Sequence, residues 1–216
     1  MLLAAWLGQP APAAAHRLDE YLQATRVAIA LDRVDLEIDL TPGAAMAGTV
    51  FGSIDSNGDG HISVAEGDAY AKEVLGGVSV SADGGGAVVR FIDGRFPDFA
   101  EMAAGLGTIR LRSVATIPRV APGRHSITFA NAHRPDSSVY LANALVPADR
   151  RITITAQHRD PAQHVLTLEY DVAYGALPKT LSVLAGLAVV CGLALVRRPR
   201  AGRERRGESL ASSPPR

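Results

Sequence analysis

Apolar and polar positions alternate with a period of two along several stretches of this chain. Val34, Leu36, Ile38 and Leu40 alternate with Asp35, Glu37 and Asp39, and Leu166, Leu168, Tyr170 and Val172 alternate with Thr167, Glu169 and Asp171. Such a pattern predicts strands with one face on a core and the other in water. Val27, Ile29 and Leu31 share a face just upstream, and Asp32-Arg33 joins them to the first of these strands as an antiparallel pair. Strand-like runs resume at 78–82 and 87–92, split by an expected turn at Asp83-Gly84-Gly85-Gly86, and again at 108–117, 125–130, 139–146, 151–157 and 164–173. Residues 96–107 read as an irregular or short helical connection. Eight or nine strands with turn signals between them predict a mainly β fold, an antiparallel β-sandwich spanning residues 16–174.

One stretch breaks the strand pattern. Thr41-Pro42 reads as the N-cap and first position of a helix ending at Ile54, with Val50 and Ile54 on one face. A second helix carries Tyr70, Val74 and Leu75 and stops at Gly76-Gly77. Between them runs Asp55-Ser56-Asn57-Gly58-Asp59-Gly60-His61-Ile62-Ser63-Val64-Ala65-Glu66. Calcium loops of this length place oxygen ligands at positions 1, 3, 5, 7, 9 and 12. Here Asp55, Asn57 and Asp59 offer side-chain oxygens, His61 its main-chain carbonyl, Ser63 a direct or water-mediated contact, and Glu66 a bidentate carboxylate. Gly60 allows the sharp turn at position 6, and Ser63 with Glu66 forms a capping box for the outgoing helix. The expectation is an EF-hand at 42–76 binding Ca²⁺; the alternative is an Asx-rich turn that binds nothing.

The ends of the chain change the picture from a simple domain to an envelope protein. Residues 1–15 read as a signal peptide, with Ala13-Ala14-Ala15 as the cleavage site. Residues 177–196 read as a transmembrane helix: the core of this run, 181–196, is apolar apart from Ser182 and Cys191, and Arg197-Arg198-Pro199-Arg200 follows at once. Residues 197–216 read as a disordered basic cytoplasmic tail, carrying seven Arg and two Glu. The 16–174 body is mildly acidic, with 14 Lys and Arg against 20 Asp and Glu, which argues against nucleic-acid binding. A single cysteine, Cys191, leaves no disulfide and no cysteine-based zinc site. The chain lacks G-x-S-x-G, H-E-x-x-H and a phosphate-binding glycine loop, so no catalytic residue is assigned and no enzyme is expected.

Cleavage after Ala15 would leave His16 at the mature N-terminus, where its α-amine and imidazole form a nitrogen chelate suited to Cu²⁺ or Ni²⁺. His133, His158 and His164, in expected loops or strand ends, are candidates to complete that site. The segment His16-Arg17-Leu18-Asp19-Glu20-Tyr21-Leu22-Gln23-Ala24, Phe96-Pro97 with Glu101-Met102 and Gly105-Leu106-Gly107, and the run Tyr140-Leu141-Ala142-Asn143-Ala144-Leu145-Val146-Pro147 together resemble a group of bacterial secreted proteins with one EF-hand. More loosely, the N-terminal His and inserted calcium-type loop are similar to the extracytoplasmic leading domains of nickel/cobalt permeases. That resemblance implies metal capture, or contact with a membrane transporter or another envelope protein. Two functions are therefore expected: a calcium-binding interaction module anchored in the cytoplasmic membrane, or a periplasmic accessory protein binding Ni, Co or Cu.

Overall fold

The structure is a computed structural model describing residues 19–174. The expected signal peptide, His16, the apolar run and the basic tail lie outside the described residues. Among those described, no helix is long and apolar enough to cross a membrane.

β1 (Tyr21–Ile29) and β2 (Arg33–Pro42) form an antiparallel hairpin in which Tyr21 faces Pro42 and Ile29 faces Val34. Burial alternates residue by residue along both strands, as their period-two pattern requires. After the helical insertion come β3 (Val78–Ala82), β4 (Gly85–Ala87), β5 (Val89–Arg95), β6 (Ile109–Thr116), β7 (Gly123–Asn131), β8 (Ser138–Ala144), β9 (Ile152–Arg159) and β10 (Val165–Val172). They make two five-stranded sheets, ordered β5-β6-β2-β1-β8 and β4-β3-β7-β10-β9. Leu36, Ile38, Leu40 and Leu111 of the first sheet and Ile127, Phe129, Leu166 and Leu168 of the second belong to one buried cluster.

Four sequence expectations need correction. β1 begins at Tyr21, well before the expected Val27-Ile29-Leu31 face, because its inward positions 23 and 25 are Gln and Thr, buried but not apolar. The glycine-rich stretch is not wholly a turn: Asp83 and Gly84, with φ of 49° and 81°, make a two-residue reversal, and β4 follows directly. Thr41-Pro42 does not open a helix. Both residues finish β2, where Thr41 Oγ1 shares a hydrogen bond with Thr108 Oγ1 at 2.8 Å, and proline is tolerated because β6 pairs only as far as Leu40. Finally, the sheets are not purely antiparallel, since β8 runs parallel to β1. The connection after β7 delivers the chain beside the start of β1, so β8 must run in the same direction.

The helical insertion comprises a 3-10 turn (Ala44–Met46), α1 (Ala47–Ile54) and α2 (Val64–Gly76). A short α3 (Phe99–Ala103) covers it, with Phe51 and Phe99 edge to face at 5.4 Å. Strand register places the insertion at one end of the sheets. It leaves from Pro42, opposite Tyr21, and returns at Val78, opposite Asn131. The last strand finishes at the other end, where Val172 faces Gly123 and Ile152. A nine-residue strand separates the two ends by about 30 Å.

Candidate metal centre

α1 ends as its last turn closes on Asp55, whose N–H donates to the Phe51 carbonyl at 2.9 Å. The next residues wrap around the Asp55 carboxylate. Its Oδ1 accepts from the N–H groups of Gly58 (2.9 Å) and Asp59 (3.1 Å), and its Oδ2 from Gly60 (2.9 Å). Gly60 sits at φ 81°, a conformation that costs an L-residue about 1–2 kcal/mol. Asn57 Oδ1 accepts from the Asp59 N–H at 2.9 Å, and Asp59 Oδ1 from the His61 N–H at 2.8 Å. Asn57 Nδ2 donates to Asp59 Oδ2 at 3.1 Å. Asp55, Asn57 and Asp59 are thus tied together by short-range bonds that their spacing dictates.

Glu66 closes the loop from the other side. As expected, Ser63 and Glu66 form a capping box: the Ser63 N–H donates to Glu66 Oε2 at 2.9 Å and the Glu66 N–H to Ser63 Oγ at 3.3 Å. The Ser63 hydroxyl also donates to Oε2 at 2.7 Å. Oε1 reaches back across the loop to accept from the Ser56 N–H (2.9 Å), the Ser56 hydroxyl (3.0 Å) and the Asn57 N–H (3.2 Å). Five donors on one carboxylate, led by the main-chain and hydroxyl donors of Ser63, pull its pKa down to about 2. Glu66 is buried, whereas Asp55 is half-exposed and Asn57, Asp59, His61 and Ser63 are exposed.

Every expected loop residue therefore lies in one turn, and its donors are hard oxygens of the kind Ca²⁺ prefers. The set holds three carboxylates, and Glu66 already accepts from the N–H groups of Ser56, Asn57 and Ser63 and from two serine hydroxyls. Among the described residues, no three His, Cys, Asp or Glu side chains are gathered as a metal-holding group. The histidines expected to complete a nitrogen site stand apart. His164 Nδ1 lies 2.9 Å from Asp160, His158 Nε2 lies 3.8 Å from Glu169, and His133 is buried. Ser138, close to His133 in sequence, is bonded to its main-chain carbonyl at 3.3 Å rather than to its ring.

Beneath the loop lies a cluster that sequence reasoning missed. Tyr70 of α2 and Tyr21 of β1 share a hydroxyl–hydroxyl bond of 2.7 Å, both side chains buried. The His133 ring meets both tyrosines edge-on, at 6.3 and 6.0 Å. The Arg134 guanidinium covers the two tyrosine rings at about 6 Å and donates to Ser53 Oγ at 3.0 Å and Glu73 at 3.4 Å. Gln23, buried on β1, donates to the His133 carbonyl at 2.7 Å and accepts from Asn131 at 2.8 Å. Gly77 makes the approach possible, since a Cβ there would come within 2.8 Å of the His133 nitrogen. Burial lowers the His133 pKa to about 4 and raises that of both tyrosines, so the cluster is neutral apart from the Arg134 lid. The signal available in sequence was Tyr70 on the inner face of α2; its partners come from strands and loops distant in the chain.

No protein-family model matches this chain, and no curated protein matches it.

Proposed function

We propose that the chain is a calcium-binding interaction module of the bacterial envelope, its two-sheet domain held outside the cytoplasmic membrane by the apolar run at 177–196. The observation that supports this reading best is the 55–66 loop. Its oxygen-bearing residues recur at the calcium-loop positions, and its turn is already formed around Asp55 with Gly60 in the left-handed region. Asp55, Asn57, Asp59 and Glu66 would hold Ca²⁺ through side-chain oxygens, His61 through its carbonyl and Ser63 directly or through water. The ion would supply positive charge to a loop whose carboxylates otherwise have only N–H and hydroxyl partners.

Low affinity follows from the same geometry. A single loop with three carboxylates belongs at the weak end of the calcium range, on the order of 10⁻⁴–10⁻³ M. Glu66 would also exchange its bonds from Ser56 and Asn57 for the ion, which costs part of the gain. The module's role is then structural: the ion fixes α1 and α2 over the Tyr21–Tyr70–His133 cluster and presents that end of the domain to an envelope partner.

Thermal unfolding in calcium and in chelator tests the reading. At about 10 mM Ca²⁺, that affinity adds roughly 1.4–2.7 kcal/mol. In a domain of this size the midpoint rises by roughly 3–10 °C. Glu66→Gln abolishes the rise if Glu66 is a ligand. An equal rise in Glu66→Gln, or none in the unaltered chain, contradicts it.

A further inference from the structure

The end of the domain opposite the helical insertion exposes apolar and basic groups together. Four segments meet there: the loop after β1, the 117–122 connection, the 145–151 connection and the exit of β10. Val146 and Tyr174 are 92 and 84 % exposed. Between the end of β8 and the start of β9 lies an open groove of about 400 Å³, lined by Leu145, Val146, Pro147, Ile152 and Ile154 among others. Around these apolar groups stand Arg119, Arg124 and Arg150, all exposed. Their acidic neighbours hold them loosely or are engaged elsewhere. Asp32 is 4.0 Å from Arg119, Asp171 is 3.7 Å from Arg124, and Asp149 is taken by Arg151 at 2.7 Å.

We infer that this rim is a phospholipid-contacting surface: Val146, Tyr174 and the groove enter the headgroup region while Arg119, Arg124 and Arg150 engage lipid phosphates. This orientation presupposes that the apolar run anchors the chain in a bilayer, as proposed above. Only six residues, 175–180, separate Tyr174 from Leu181, a connection of at most about 25 Å when fully extended. That length lets the rim reach a bilayer that holds the run, and the chemistry of the rim is what would seat it there. Exposed aromatic and apolar groups beside arginines are the chemistry of a membrane interface: the ring or aliphatic body leaves water, and the guanidinium stays with the phosphates. A rim that carries acids as well as arginines suits headgroups bearing both charges. The calcium loop then stands about one strand length, roughly 30 Å, farther from the membrane, free to meet a partner.

The full chain, reconstituted in phosphatidylethanolamine–phosphatidylglycerol vesicles containing a headgroup-quencher lipid, tests this. With Cys191→Ser as background, a fluorophore is attached at Val146→Cys or, on exposed α2, at Asp68→Cys. The expected result is loss of emission at 146 and unchanged emission at 68, with the loss at 146 reduced by Arg119→Glu plus Arg124→Glu. Protein that floats with the vesicles but is not quenched at 146 overturns the rim contact and leaves the anchor standing. Equal quenching at 68 means the domain lies flat, and quenching indifferent to the arginine pair means mere tethering; either also overturns it. Protein that fails to float with the vesicles removes the anchor, and the rim contact with it.

Discussion

His133 and His125 respond to pH in opposite directions, and the reason lies in what each ring nitrogen can reach. His133 is buried between Tyr21 and Tyr70, and its Nε2 has no hydrogen-bond partner. The unfolded chain binds a proton near pH 6.5, and the folded one resists until about pH 4. Its contribution is therefore complete above pH 6.5 and is lost as pH falls toward 4, by at most about 3 kcal/mol. His125 has both ring nitrogens in hydrogen bonds, to Asp83 and to the Ala121 carbonyl, each at 2.8 Å. Two acceptors favour the imidazolium and raise its pKa, so its contribution is present below pH 6.5 and fades as pH rises through the raised value. Denaturant unfolding across pH 4–8 should show stability falling on the acid side, and His133→Phe should flatten that side alone. An acid limb unchanged by His133→Phe would assign the loss to other groups.

At the scale of elements, the hydroxyl bond between Tyr21 of β1 and Tyr70 of α2 is a buried polar tie between the sheets and the helix pair. Removing either hydroxyl leaves the other buried and without its mate, which costs about 1–3 kcal/mol. Removing both leaves apolar rings of nearly the same shape, so Tyr21→Phe with Tyr70→Phe should be more stable than either single variant. Additive losses in that cycle would show that the bond is not what joins them. The free edge of β8 poses a different problem. Arg159 reaches it from β9, donating to the Ala142 carbonyl at 2.8 Å and to Asn143 at 2.9 Å. An edge strand left open invites pairing with another chain. Arg159→Ala is expected to make the protein self-associate with concentration, read by sedimentation velocity, and a sedimentation profile equal to that of the unaltered protein would show the edge needs no guard.

Legibility varied among elements for physical reasons. β2 and β10 announce themselves because their inward positions are apolar without exception. The first half of β1 does not, since Gln23 and Thr25 are buried through hydrogen bonds and contacts that come from elsewhere in the chain. β4 is Gly85-Gly86-Ala87, nearly devoid of side chains to pattern. Thr41-Pro42 suits a helix start and a strand end equally, and only its neighbours decide. The turn at 55–66 was legible because its bonding is local: Asp55, Asn57, Asp59 and Glu66 bond to residues within ten positions. The His133 cluster was not, because it joins residues 110 positions apart and more.

At the scale of the whole described domain, the two sheets separate two ends that differ in what they carry. One carries the N-terminal strand's start, the helix pair and the acidic loop; the other carries the exposed apolar and basic rim from which the chain leaves at Tyr174. Calorimetric titration of the purified protein with Ca²⁺, then with Ni²⁺ and Cu²⁺, tests calcium binding by the loop most directly. The expected result is one calcium site on the order of 10⁻⁴–10⁻³ M that Glu66→Gln removes. Tight Ni²⁺ or Cu²⁺ binding that disappears when a residue is added before His16, with no calcium heat, would contradict it and assign the metal to the N-terminus.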